Sequence, residues 1–238
     1  MGKTAIEWTD RTWSPVTGCL HGCPYCYARS IAIRFGGDFT MARANSHGHL
    51  ELFEKPDNPY PDKFDPTFHR YRLDEPSKIK KPQNIFACSM ADLFGKWIPD
   101  LWIEAVFEAC KKAPQHRYLF LTKNPQRYID LGNLGRLPEN AWFGTTITND
   151  EDPLFWSDKH NTFVSIEPIQ ERFEGFPDKP INWVIVGMET GNRKGRVIPE
   201  KKWIEAIVEN CRENNVPVFL KNNLAKVWGE KLVQEVPW

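Results

Sequence analysis

Six short apolar runs recur along the 238-residue chain, at 84–89, 117–122, 141–147, 162–167, 183–188 and 216–220. They are mostly continuous in aliphatic, β-branched and aromatic residues rather than alternating with polar ones. Strands of that kind are covered on both faces, as in a parallel sheet packed with helices. A weaker run precedes them at 12–17. Helical stripes lie between. Ile98, Leu101, Trp102, Ala105, Val106 and Ala109 share one face of a helix expected over 99–113. Trp203, Ile204, Ile207, Val208 and Cys211 do the same over 200–214. A third helix reads over 27–35, stopped by Gly36 and Gly37, and two more are expected after Lys123 and after Asn149. Alternating strands and helices imply right-handed crossovers and an α/β fold with parallel strands. Six or seven such units suggest an open, partial barrel rather than a closed eight-stranded one.

One stretch breaks this rhythm. Residues 37–83 contain Pro56, Pro59, Pro61, Pro66, Pro76 and Pro82 and lack clear periodicity. They read as an irregular insertion in a single domain over 1–238, either functional or a structural wrap. Lys plus Arg and Asp plus Glu both number 31, for zero net charge. That balance argues against a long nucleic-acid footprint, which needs clustered cations. No run is apolar enough to cross a membrane and no N-terminal signal pattern is visible, so a cytoplasmic chain is expected. Six cysteines in this length do not suggest a disulfide framework.

Three of those cysteines, Cys19, Cys23 and Cys26, fall in one short loop with the spacing C-x3-C-x2-C. Structural zinc sites and ordinary ferredoxin clusters take four protein ligands. Three thiolates on a 4Fe–4S cluster leave one iron free for another ligand. Zinc with His21 as fourth ligand is the alternative, made awkward by His21 lying inside the first spacer.

Polar residues also end the expected strands, where parallel β/α barrels carry their chemistry. They are Ser89 to Asp92, Thr122-Lys123, Thr145-Thr146, Ser165 to Glu167, Gly187 to Gly191, and Lys221 to Asn223. Any one is an ordinary loop start; six in order point to one functional rim.

With Tyr25 just before its third cysteine, the loop resembles the signature of the radical S-adenosylmethionine (SAM) superfamily. Thr12 to Cys19, Ser89 to Phe94, Leu121 to Lys123, Ser165 to Pro168 and Trp183 to Gly191 resemble a phage- and prophage-associated branch whose substrate is unassigned. The cysteine loop is also similar to that of the spore photoproduct lyase group, without a comparable sequence match beyond the loop. The resemblance implies a partial (β/α)6 barrel with the cluster loop after the first strand. It implies an enzyme that cleaves SAM reductively to a 5′-deoxyadenosyl radical, which abstracts hydrogen from a nucleotide, a nucleic acid or a small anionic metabolite. By motif matching, Cys19, Cys23 and Cys26 would hold the 4Fe–4S cluster and Tyr25 would lie against the adenine. Ser89 and Asp92 replace the usual Gly-Gly-Glu-like segment facing the SAM amino group, a departure from the pattern. Thr145, Ser165 and Glu167 are candidates for the ribose and carboxylate. Lys123 is a candidate for the SAM carboxylate or an anionic substrate, and Glu189 and Lys221 for the substrate. A reductant such as flavodoxin or ferredoxin is the implied partner.

Other residues carry two readings. Cys88 is a hydrogen-atom donor or a small buried strand residue. His47, His49 and His69 form a second metal site or are solvated. Lys78, Lys80 and Lys81 touch phosphate or are plain surface. Trp228 and Trp238 pack the tail or meet a partner. Cys110 and Cys211 are expected to be inert core. The alternative to an enzyme is a zinc- or cluster-stabilised binding module without catalysis.

Overall fold

The computed structural model describes residues 1–37, 49–174 and 179–238. The chain divides into two compact units, Met1–Ala141 and Trp142–Trp238.

In the first unit, β1 (Gly2–Lys3) pairs antiparallel with β2 (Arg11–Trp13). The expected strand at 12–17 is split, because Pro15 has no N–H to give a ladder. Beyond it, β3 (Val16–Thr17) leaves for a second sheet and leads into the cysteine loop and α1 (Tyr27–Phe35). The second sheet is completed by β4 (Leu50–Leu52) and β5 (Thr67–His69), in the order β3-β5-β4. The stretch read as irregular therefore contributes two strands. The main sheet continues with β6 (Asn84–Ala87), α2 (Asp100–Lys112), β7 (Arg117–Thr122) and α3 (Gln126–Asn133). Strands β2, β6 and β7 are parallel neighbours. Helix α2 buries Trp102, Ile103, Val106, Phe107 and Cys110, while Leu101 is 64% exposed. The buried stripe is thus turned by one residue from the expected one. Phe94, Phe107, Phe120 and Tyr128 interlock at ring distances of 4.5–6.1 Å.

The strands of the second unit are parallel, and Gln234 adds an antiparallel bridge to Phe219. Strands β8 (Ala141–Ile147), β9 (Asn161–Ile166), β10 (Val184–Val186) and β11 (Val218–Leu220) stand in sequence order. Helix α4 (Lys201–Glu213) buries Ile204, Ile207, Val208 and Cys211 against them, and α5 (Ala225–Trp228) follows β11. No helix forms after Asn149. The Asn149 side chain instead accepts from the Glu151 and Asp152 N–H groups, and Pro153 disfavours helical geometry just before it. Trp228 is buried in this core, and Trp238 packs edge-on against Trp142 and Trp183 at 5.5 and 5.0 Å. Among the described residues, no helix is long and apolar enough to cross a membrane.

Candidate functional site

The cysteine loop is pinned at its first residue. Gly18 has φ +88°, and a Cβ there would stand 2.1 Å from the Asp65 carbonyl oxygen, so only glycine fits. Its N–H donates to the Met90 carbonyl at 2.9 Å, and the Cys19 N–H donates to the Phe64 carbonyl at 3.0 Å. The loop ends at Cys26, which caps α1 by accepting the Arg29 N–H at its sulfur, 3.3 Å away. All three thiols are half-buried. Burial pushes the Cys19 thiol up to about 12, aided by the Asp92 charge and by Cys23 and Cys26, and opposed by a hydrogen bond from the His21 backbone. A bound metal would supply the missing positive charge and hold the sulfur as thiolate. Soft donors from one loop, with N–H groups turned to two of the sulfurs, are a donor set that suits an iron–sulfur cluster. Among the described residues, no three His, Cys, Asp or Glu side chains are gathered into a group that could hold a metal ion.

Asp92 joins this loop to the sheet. It follows β6 and is buried. Its carboxylate accepts from the Thr122 hydroxyl at 2.7 and 3.0 Å, the Lys123 N–H at 2.9 Å and the Phe94 N–H at 3.0 Å. It also meets the His21 ring at 2.7 Å, and that ring stands edge-on to Trp97 at 4.8 Å. The carboxylate's lone pairs are thus engaged within the protein. Neither the Thr122 nor the His21 partnership was foreseen, because residues 21, 92 and 122 are brought together only by the fold.

The other first-unit candidates lie close by. The Lys123 ammonium sits 5.6 Å from the Tyr25 ring centroid, within cation–π range. The Tyr27 hydroxyl donates to the Ser89 carbonyl at 2.7 Å, and the Ser89 and Ser14 hydroxyl oxygens are 3.5 Å apart. Cys88 is buried, with φ +58° and its thiol raised to about 12 by burial. His69 is not solvated: it is buried, meets the Thr17 hydroxyl at 2.8 Å and stands 3.4 Å from the Tyr71 hydroxyl. His49 stacks edge-on against Trp102 at 5.7 Å, and His47 lies outside the described residues.

The second unit holds the remaining candidates. Lys221 donates to Glu167 across the ends of β9 and β11. Glu189 is buried and not free: Arg193 donates to it through Nε and Nη2, both at 2.7 Å, and holds its carboxyl below the usual range. The four-residue spacing of Glu189 and Arg193 was the available signal for this pair. The Thr145 hydroxyl accepts the Phe155 N–H at 3.0 Å. Because side chains alternate along a strand, Thr145 faces away from Ser165 and Glu167, whereas Thr146, paired with Ser165, shares their face.

A family described as "Protein of unknown function (DUF5131)" matches residues 3–235. The chain belongs to that family. No curated protein matches it. Among solved structures it is similar to a Cys-to-Ser mutant of spore photoproduct lyase, with a TM-score of 0.52 at 10% identity over 95% of this chain and 76% of that one. Spore photoproduct lyase complexed with dinucleoside spore photoproduct gives a TM-score of 0.47 at 11% identity, covering 90% of this chain and 72% of that one. A mutant with bound AdoMet and dinucleoside spore photoproduct gives 0.45 at 11%, covering 85% and 61%. The first likeness shows a shared fold along nearly the whole chain, where sequence comparison found a match only in the loop. The α/β class with mainly parallel strands is as expected.

Proposed function

We propose that this chain is a radical SAM enzyme. The observation that carries the reading is the loop of Cys19, Cys23 and Cys26 opening α1, in a chain whose fold is that of spore photoproduct lyase over 95% of its length. When bound and reduced by one electron, a 4Fe–4S cluster at this loop with SAM supplies a 5′-deoxyadenosyl radical able to take hydrogen from carbon. The three cysteines hold the cluster. Tyr25 and Lys123 form the adjoining wall, Tyr25 for the adenine and Lys123 for a carboxylate. Ser89 meets the SAM amino group. Asp92, already met by its internal donors, orients His21 and the end of β7 beside the loop. Cys88, kept protonated by burial, retains the hydrogen atom that a donor needs. The electron comes from a flavodoxin- or ferredoxin-like partner in a reducing cytoplasm.

Anaerobic reconstitution with iron and sulfide tests this. The expected product is a brown protein with about four irons per chain, which yields 5′-deoxyadenosine on reduction with SAM. Uptake of zinc alone, with no iron–sulfur chromophore, ends the reading. A second reading, a metal-stabilised binding module, draws on the Asp92–His21 pair, since carboxylates often orient metal-bound histidines. It expects stability to fall on chelation and no SAM cleavage.

A further inference from the structure

Strands β9, β10 and β11 end in one row. Val186 pairs with Ile166 on one side and Leu220 on the other, so Glu167, Gly187 and Lys221 stand abreast one residue later. By alternation this row shares a face with Ser165, Ile185 and Phe219, two residues back. The opposite face carries Val164, Ile166, Val184, Val186, Val218 and Leu220, which pack with α4. That opposite face is apolar apart from Thr162 at the start of β9, whereas the first face carries Ser165 and, at its C-terminal end, the charged Glu167 and Lys221. Further down that face, Phe163 and Trp183 pack ring against ring, and Trp183 also meets Phe219.

Two features of this row bear on its use. Gly187 does not adopt a positive φ, so its backbone tolerates any residue, yet a Cβ there would lie 2.9 Å from Lys221 Cδ and 3.4 Å from the Glu167 carboxyl carbon. Glycine here makes room for the Lys221 side chain to lie across the strand end and reach Glu167. Ser165 is fully buried, and its hydroxyl has no hydrogen-bond partner among the described residues. An unpaired buried hydroxyl destabilises a fold, and alanine would fill the position at no such cost.

We propose that Ser165, Glu167 and Lys221 form a ligand site at the ends of these strands for a neutral group that donates and accepts hydrogen bonds side by side. A nucleobase edge and a sugar diol share that chemistry. The charge state favours it over an anion: Glu167 already neutralises Lys221, so a phosphate or carboxylate must break the pair. A neutral group can accept from Lys221, donate to Glu167 and complete Ser165 with the pair intact. The site stands on the geometry of the second unit; identifying its ligand as the substrate rests on the proposed function.

The test is calorimetric titration of cluster-loaded protein, saturated with SAM, using uridine, uracil, ribose and inorganic phosphate as probes. Uridine is expected to bind, and the uracil and ribose arms tell which half is recognised. Ser165→Ala removes one hydrogen bond and the Gly187→Ala methyl pushes Lys221 aside, so each should weaken binding about tenfold, the scale of one lost hydrogen bond, with iron per chain unchanged. Ser165→Ala should also leave the melting temperature equal or higher, which a purely structural serine would not combine with lost affinity. The proposal is overturned if phosphate binds tighter than uridine, if no probe binds, or if Ser165→Ala weakens SAM rather than the probe. Failure of the proposed function looks different: no 5′-deoxyadenosine forms from wild-type protein while uridine still binds.

Discussion

The cysteine loop and the row at the ends of β9 to β11 are built in opposite ways. The loop places its three sulfurs within eight consecutive residues and then depends on distant groups, Asp92 above all, to hold its shape. The row takes one residue from each of three strands and depends on their register, with little local sequence to mark it. The comparison teaches that chemistry written contiguously can be read early, while its rigidity cannot. A site written across strands is visible only once pairing is known.

Substitutions can break this comparison, and the largest effect belongs to the thiols. Cys19→Ala, Cys23→Ala or Cys26→Ala should each drop iron from about four per chain to below about one and abolish 5′-deoxyadenosine formation, with circular dichroism near wild type. Retained iron in any of the three would remove that sulfur from the ligand set. Asp92→Ala comes next. It strands the Thr122 hydroxyl and the Phe94 and Lys123 N–H groups in a buried place, at a cost of about 3 kcal/mol. Denaturant unfolding should show that loss, and reconstituted iron should fall with it. If iron stays full, the loop is rigid without its distant anchor and the contrast drawn above fails.

His69 sharpens the comparison by reporting on the first unit alone. Burial, with Arg72 nearby, lowers its pKa from 6.5 to about 3. Between those values only the unfolded chain takes up the proton, so stability is full above the unfolded value and declines as the pH falls. From pH 6.5 to 5 the loss is about 2 kcal/mol. Unfolding curves at several pH values should show the slope, and His69→Gln should flatten it. The smallest effect is expected for Glu189→Gln, which weakens the pair with Arg193 in the second unit. Iron content should be unchanged, the melting temperature should move less than in Asp92→Ala, and turnover should fall. Iron lost as fully as in the cysteine variants would place Glu189 with the cluster rather than the substrate.

Much of the fold was legible because burial on both faces leaves continuous apolar runs. Strands β7 and β8 begin and end where those runs do. The misreadings were local. Apolar periodicity put Leu101 on the buried face of α2, but Ile103 and Phe107 are the residues buried there, Phe107 against the rings of Phe94 and Phe120. After Asn149, side-chain capping and a proline outweighed helix propensity. In 49–83, proline-rich composition hid two short strands, of which β5 needs β3 as a partner and β4 needs β5. In the candidate site, strand-end positions were readable, but Thr145 was chosen where Thr146 shares the face of Ser165, since an ambiguous strand start leaves the alternation undefined.

By itself the amino-acid sequence determined the class of fold and the presence of three soft donors within reach of one another, because periodicity and covalent spacing are local properties of a chain. The tertiary structure decided which groups are already engaged and which are left over. It fills the carboxylate of Asp92, closes Arg193 onto Glu189, and leaves the hydroxyl of Ser165 unmet. Hydrogen-bond satisfaction depends on everything that surrounds a group, and those surroundings come from parts of the chain far apart in sequence.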